Sequence, residues 1–388
     1  MSKPRPLTGA HAAAEAMRQI NPEVVPCYPI TPQTPIIEKF SQFAADGQVE
    51  TEMLHAESEH SALSAAVGAS AAGVRAMTAT SSAGLALMFE ILGVASGLRL
   101  PIIMPVVNRA LSAPINIHCD HSDTMGCRDQ GWIQVFCENA QEAYDFTLLA
   151  VRLAEHPAVQ LPAMIMQDGF ITSHGVEGIH ILDDKSARKF IGTYNPKHHL
   201  LDFNRPITVG PIQLQDSYFE TKIQQQEAME NALRVFPKLC NDLSRATKRK
   251  YGYFEKYKMN DATCAIVTTS STAGTTKAVI DRMRQDGTKV GLLKLTLFRP
   301  FPYKDVASEL KNMKSIAVLD RALSCGAHPP LFSDVKNALA ELAKKPKMQS
   351  CVFGLGGRNI SEGDIEGVFK DLLANKVTDR IKYVGDKR

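Results

Sequence analysis

Small and apolar residues recur along the first part of the chain at two alternating periods. From Leu7 to Ile20 they fall at helical spacing, and Val24-Val25-Pro26-Cys27-Tyr28-Pro29 then reads as a short buried strand broken by prolines. Pro35 to Phe43 resumes as a helix with proline near its start, and the alanine-rich stretch from Glu57 to Gly73 gives another. Ala76 to Thr80 reads as a strand, Ser81-Ser82-Ala83-Gly84 as a turn of small residues, Leu85 to Val94 as an apolar helix and Ile102 to Val107 as a strand. A helix from Gln141 to Leu153 and a strand from Ala163 to Gln167 follow. Strands alternating with helices predict a mostly parallel sheet covered on both faces.

Between about His174 and Lys258 this rhythm fades into an irregular stretch and a polar helix, Thr221 to Asn241, that ends in the basic run Arg245-Ala246-Thr247-Lys248-Arg249-Lys250. From Ala262 the alternation returns. Strands are expected at Cys264 to Thr269, Val290 to Lys294, Ile316 to Asp320 and Ser350 to Gly354, with helices at Thr275 to Arg284, Leu331 to Ala343 and Ser361 to Leu373. The expected division is a parallel-sheet domain over residues 1–245, a basic linker over 246–260 and a smaller α/β domain over 261–388.

Composition narrows the partners. A chain of 388 residues exceeds one typical domain, and 44% hydrophobic with 22% charged residues is the balance of a folded protein. Lys and Arg total 44 against 41 Asp and Glu, and a formal charge of +3 makes no strong field for nucleic acid or an anionic membrane. The aromatic residues Tyr251, Tyr253, Phe254 and Tyr257 beside the basic run therefore read as a linker rather than a nucleic-acid patch. No secretory signal and no stretch of about 18 or more uncharged apolar residues is present, so a cytoplasmic location is expected. The eight cysteines form no C-x-x-C pair, which argues against an iron–sulfur cluster held by this chain.

Several segments carry candidate chemistry. Tyr28 to Pro35 places four prolines around Thr31 and Thr34 at the C-terminal end of a strand, where open α/β sheets bind ligands. Such a stiff loop can present a hydroxyl to a small polar substrate, or it can simply cap the next helix. Glu57 and Glu59, two residues apart, cannot share one helical face, so one of them should point inward; alternatively both merely favour a helix N-terminus. Arg109 ends an apolar strand and is suited to bidentate capture of a carboxylate, with a surface ion pair as the plainer reading. The run His118-Cys119-Asp120-His121-Ser122-Asp123 mixes metal-ligand types, but its spacing suits a hydrogen-bonded active-site loop better. Gly354-Leu355-Gly356-Gly357 is a weak anion-binding signal, and no nucleotide-phosphate motif occurs.

At Tyr28-Pro29-Ile30-Thr31-Pro32, Glu57-Ser58-Glu59-His60-Ser61-Ala62, Asn108-Arg109-Ala110-Leu111-Ser112 and Gly126-Cys127-Arg128-Asp129-Gln130-Gly131-Trp132 the sequence resembles the alpha subunit of 2-oxoacid:ferredoxin oxidoreductases, most like that acting on pyruvate. The resemblance continues through Gln167-Asp168-Gly169-Phe170, Leu297-Phe298-Arg299-Pro300-Phe301-Pro302 and Val318-Leu319-Asp320-Arg321 and covers nearly the whole chain. It implies a thiamine diphosphate pyrimidine-binding domain followed by a transketolase C-terminal-like domain. It puts the pyrimidine-facing glutamate on Glu59, with Glu57 as the fallback, a substrate threonine on Thr31 and a substrate arginine on Arg109, and it brings Tyr28 and Pro29 into the cofactor site.

The same resemblance implies CoA-dependent, reversible oxidative decarboxylation of pyruvate to acetyl-CoA and CO2, with electrons passed to ferredoxin. The chain lacks the G-D-G diphosphate motif and cluster cysteines. Beta, gamma and delta type subunits are therefore expected to supply Mg2+, the diphosphate cradle and the [4Fe-4S] clusters, with thiamine diphosphate shared between subunits and no activity in this chain alone. Another 2-oxoacid, such as 2-oxoglutarate, a branched-chain 2-oxoacid or oxalate, and a non-catalytic scaffold role stay open at this point.

Overall fold

The computed structural model describes residues 3–387. Its first sheet runs, in spatial order, through Glu52–His55, Val24–Cys27, the extended segment 76–80, Ile103–Asn108, Ala163–Asp168 and Ile133–Phe136, all parallel. The segment 76–80 is tied only by single bridges, Val24 to Ala76, Met77 to Ile103 and Thr80 to Val106, and is not the regular strand that its sequence suggests. Prolines explain the gaps: Pro26 and Pro105 sit two residues after Val24 and Ile103, on the sides facing this segment, and neither has an N–H to continue the ladder.

Helices cover the sheet. Gly9–Ile20 starts where Thr8 accepts a bond from His11 N at 3.1 Å, and its Ala10, Ala12, Ala13, Ala14 and Ala16 are all buried, mostly against Ala140–Ala154. Small side chains let these two helices approach closely. The apolar helix expected from Leu85 to Val94 is broken at Met88 into Ser82–Leu87 and Phe89–Gly97. Arg5–Thr8 forms a two-stranded antiparallel ribbon with Val176–Ile179, so Leu7 and Thr8 are strand where the spacing predicts helix, and the helix Asp184–Ile191 lies where no element was expected. The polar helix is longer than its pattern implies, Tyr218–Thr247, and continues through Pro237 while burying Ala228, Ala232, Phe236, Leu239, Cys240 and Leu243.

The second sheet orders Lys382–Val384, Lys347–Phe353, Ser315–Asp320, Cys264–Thr269 and Val290–Leu295 in parallel, with Phe254–Tyr257 antiparallel at the far edge. The helix expected from Leu331 to Ala343 ends at Ala338, where the chain passes into turns. Immediately after the strand Val290–Leu295, Leu297–Arg299 crosses to the first sheet and pairs antiparallel with Ile133–Phe136. One apolar core follows that crossing, from Trp132, Phe136 and Met166 to Leu293, Phe298 and Val318. Lys294, buried in the seam, contacts Glu142, Glu138 at 3.0 Å and Glu255 at 3.3 Å. Burial opposes its charge, yet Glu142 and Glu138 hold its pKa above the usual lysine range.

The basic run is a structural fixture. Arg249 pairs bidentately with the fully buried Asp145 at 2.6 and 2.7 Å, and Tyr251 donates to the same carboxylate at 2.6 Å. No helix among the described residues is long and apolar enough to cross a membrane. All eight cysteines are free, and only Cys325 is exposed.

Candidate active site

The candidate residues gather above the C-terminal ends of the first sheet. The strand Val24–Cys27 runs into the proline loop, which folds on itself as Gln33 N and Thr34 N donate to Ile30 O at 2.8 and 3.1 Å while Ile30 N donates to Gln33 Oε1 at 3.3 Å. Thr31 is exposed and its hydroxyl has no partner among the described residues. It caps nothing: the next helix, Thr34–Ala45, begins from Gln33 without a side-chain cap bond. Tyr28 and Pro29 are exposed on the same loop.

Ser58 decides between the two glutamates. Its side chain accepts from Ser61 N at 3.2 Å, so the helix starts at Glu59 and runs to Ala71. Glu57 stays outside, exposed, and its carboxylate takes the Ser61 hydroxyl, a bond that lowers its pKa. Glu59 turns inward and is 6% exposed. No side-chain hydrogen bond joins it to a described residue, and the nearby Thr80 Oγ1 is fully buried without a partner. Both groups crowd one glycine: a Cβ on Gly84 would lie 2.5 Å from Glu59 Oε1 and 2.5 Å from Thr80 Oγ1. Native proteins rarely leave a buried polar atom such as Thr80 Oγ1 unanswered. A protonated aminopyrimidine ring nitrogen is a donor that suits such a carboxylate, and the bare Gly84 backbone lets Glu59 Oε1 stand this close to the chain.

Arg109 is buried, 7% exposed, and forms no ion pair among the described residues. Its Nε donates to Asn116 O at 3.1 Å and its Nη1 to Thr31 O at 2.9 Å, so Arg109 and the Thr31 loop are locked together, and Nη2 is left without a protein bond. Its backbone is fixed from behind by Asp123, which accepts from Arg109 N and Ser82 N at 3.0 Å each, and from Asn108 Nδ2 and Thr124 N at 2.8 Å each. Burial pushes the Asp123 carboxyl up to about 6 against these four bonds. Ser82, Asn108 and Asp123 had no assigned role in the sequence. Only the adjacency of Asn108 to Arg109, and Asp123 closing the His118–Asp123 run, hinted at them.

Two residues of that run, Cys119 and His121, meet Asp168 of the neighbouring strand Ala163–Asp168. Cys119, His121 and Asp168 bring their ligand atoms within 4.8 Å of one another, but the Arg321 guanidinium already stands there, with Nη1 3.7 Å from Asp168 Oδ2. A fixed cation at that spot repels a second one. His121 Nε2 lies 2.7 Å from Asp168 Oδ1, and Ser271 of the second domain donates to Oδ2 through its hydroxyl and, at 3.2 Å, its backbone N. Burial disfavours the Asp168 charge, but Arg321, His121 and Ser271 hold its carboxyl well below the usual range.

The glycine turn that had suggested an anion site is also occupied by protein. Asn116 Nδ2 donates to Gly356 O at 3.1 Å, Gly357 N donates to Cys119 O at 2.6 Å, and Gly356 N donates to Asp120 Oδ2 at 3.2 Å.

Comparison with known proteins agrees along the whole chain. The family model for the thiamine diphosphate-binding domain of pyruvate flavodoxin/ferredoxin oxidoreductase matches residues 15–239, and that for pyruvate:ferredoxin oxidoreductase core domain II matches residues 262–365. Pyruvate synthase subunit PorA of Thermotoga maritima is 56% identical over 98% of this chain and 97% of its own, and that of Methanocaldococcus jannaschii is 46% identical over 96% and 95%. Ketoisovalerate oxidoreductase subunit VorA of Pyrococcus abyssi is 39% identical over 94% and 92%.

Among solved structures, a chain of 2-oxoglutarate:ferredoxin oxidoreductase from Magnetococcus marinus matches with a TM-score of 0.75 at 19% identity, over 96% of this chain and 66% of that one. A split-gene transketolase matches with a TM-score of 0.59 at 13% identity, over 95% and 99%. These two likenesses speak for the fold alone, a transketolase-like pair of α/β domains. With both family models matched in order and relatives this similar over nearly their full length, the chain belongs to the alpha-subunit family of the pyruvate:ferredoxin oxidoreductases.

Proposed function

We propose that this chain supplies the pyrimidine side of a thiamine diphosphate site in a multisubunit enzyme that converts pyruvate and coenzyme A to acetyl-CoA and CO2, passing electrons to ferredoxin. The observation that carries the reading is the inward-turned Glu59, hydrogen-bonded by no described residue, beside the buried and unpartnered Thr80 Oγ1 over the bare Gly84 backbone. Bound here, thiamine diphosphate would supply a nucleophilic carbon and an electron sink for decarboxylation of a 2-oxoacid. Glu59 accepts a hydrogen bond from the pyrimidine ring nitrogen and so keeps a proton there. Tyr28 and Pro29 flank the cofactor. Arg109, with Nη2 unused, and Thr31, with a free hydroxyl, bind the substrate carboxylate and oxo group from one interlocked loop pair.

The diphosphate, its Mg2+ and the [4Fe-4S] clusters fall to beta, gamma and delta type partners, because nothing in this sequence carries their motifs. Leu87, 51% exposed, and Phe89, 46% exposed, follow Gly84 and offer an apolar rim to such a partner. The division into 1–245, 246–260 and 261–388 and a cytoplasmic location belong to the same reading. Pyruvate is favoured by the 56% identity to a pyruvate synthase subunit over the 39% to a ketoisovalerate oxidoreductase subunit. Ferredoxin reduction by the assembled complex, measured with pyruvate, 2-oxoglutarate, 2-oxoisovalerate and oxalate, should give the highest kcat/KM with pyruvate; a preference for another acid would replace the substrate and keep the site.

A further inference from the structure

Of the second domain's bonds to the loop after Arg109, at Asn116, Cys119, Asp120 and His121, the one at Asn116 falls on a residue that also binds the Arg109 guanidinium. Asn116 lies on the loop that leaves the strand Ile103–Asn108. Its backbone carbonyl accepts from Arg109 Nε at 3.1 Å, while its side-chain Nδ2 donates to the carbonyl of Gly356 in the second domain at 3.1 Å. Its Oδ1 accepts from His118 N at 2.7 Å, which closes the turn between the two contacts. The loop has little apolar anchorage of its own, with Ile115 77% and Ile117 42% exposed. Polar bonds must therefore hold the Asn116 carbonyl in place.

The two glycines that receive Asn116 and His118 have no room for a side chain. Gly356 and Gly357 adopt φ of +58° and +79°, a region that disfavours L side chains. A Cβ on Gly356 would lie 2.4 Å from Asn116 Nδ2, and one on Gly357 would lie 2.4 Å from His118 Cβ. The glycines thus allow backbone of one domain to meet the loop of the other directly.

We infer that the second domain sets the plane of the Arg109 guanidinium through Asn116, which makes Asn116 and Gly356 positioning residues for the 2-oxoacid carboxylate. A planar donor fork grips a carboxylate only when its plane and edge are right, and Arg109 has two of its three nitrogens bonded to carbonyls for that purpose. Releasing Asn116 from Gly356 lets the carbonyl that holds Nε drift, and the fork turns with it. The inference rests on the substrate role proposed for Arg109.

The test is a double-mutant cycle on the assembled multisubunit enzyme, reading KM for pyruvate and kcat separately, with melting temperature as a control. Asn116→Ala should raise KM roughly 3- to 10-fold, the span of one net hydrogen bond, and leave kcat within about 2-fold. Gly356→Ala, made in the other domain, should shift KM in the same direction. Arg109→Lys should raise KM by itself, and in that background Asn116→Ala should add nothing further.

If Arg109→Lys raises KM but Asn116→Ala and Gly356→Ala leave it unchanged, the positioning role is wrong while the substrate role of Arg109 stands. The same conclusion follows if Asn116→Ala keeps its full effect in the Arg109→Lys background. An unchanged KM in Arg109→Lys would instead overturn the substrate role, and the inference with it.

Discussion

Two polar clusters at the same end of the first sheet are completed to different degrees. Asp168 is fully buried, and its carboxylate is answered within the chain by His121, by both donors of Ser271 and by the nearby charge of Arg321. Glu59 is almost as deeply buried, yet neither its carboxylate nor the neighbouring Thr80 hydroxyl meets a partner among the described residues. Burying a carboxylate costs free energy that only donors or a counter-charge offset. The Asp168 cluster meets that cost with groups from both domains and so welds them. The Glu59 corner has no such donors among the described residues, as the proposed half of a shared site requires.

The sharpest way to break this comparison is to neutralise each carboxylate and ask what is lost. Glu59→Gln keeps the shape and removes the charge, and it should lower kcat of the assembled enzyme by about 10²- to 10⁴-fold, the usual worth of a positioned acid–base group, with assembly intact. Glu57→Gln, on an exposed residue bonded only to Ser61, should stay within about 2-fold. If the two effects were exchanged, the outer glutamate would be the functional one.

Asp168→Asn should act on stability instead. It strands the buried Arg321 charge and should cost about 3–5 kcal/mol in unfolding of the free chain, read by denaturant titration. A loss below about 1 kcal/mol would mean that the seam is not held there. The pH dependence has a definite sign. The Asp168 carboxyl is held below its unfolded value near 3.9, so its contribution is complete above that value and is lost as pH falls toward the lowered native one. The melting-temperature gap between the parent protein and Asp168→Asn should therefore be full at neutral pH and close below about pH 4.

Thr31→Val should have a smaller effect than Glu59→Gln. It removes one donor on an exposed loop residue and should cost about 1–3 kcal/mol in kcat/KM, as a substrate oxygen loses its partner, with the melting temperature unchanged because Thr31 caps no helix. A purely thermal effect would return Thr31 to a structural role.

The sequence exposed the finished and unfinished regions unequally. Thr31, Glu59 and Arg109 sat at strand ends and a helix start, positions that periodicity locates, and Ser58 as a cap settles which glutamate turns inward. The strand Leu297–Arg299 was invisible because three residues carry no period, and its partner Ile133–Phe136 lies in the other domain. Asp168, Ser271 and Arg321 are separated by about 50 to 150 positions, so only tertiary structure unites them. The glycine turn at Gly354–Gly357 misled for a physical reason: the backbone freedom that suits an anion also suits the close approach of a neighbouring loop.

Calorimetric titration of thiamine diphosphate with Mg2+ into the isolated chain and into the assembled complex separates half of a cofactor site from a whole one. Binding to the complex should be tight and stoichiometric, and binding to the chain alone at least about 100-fold weaker, a difference of some 2.7 kcal/mol. Equal affinity in the two preparations would contradict the half-site reading, because the Glu59 corner would then belong to a complete site.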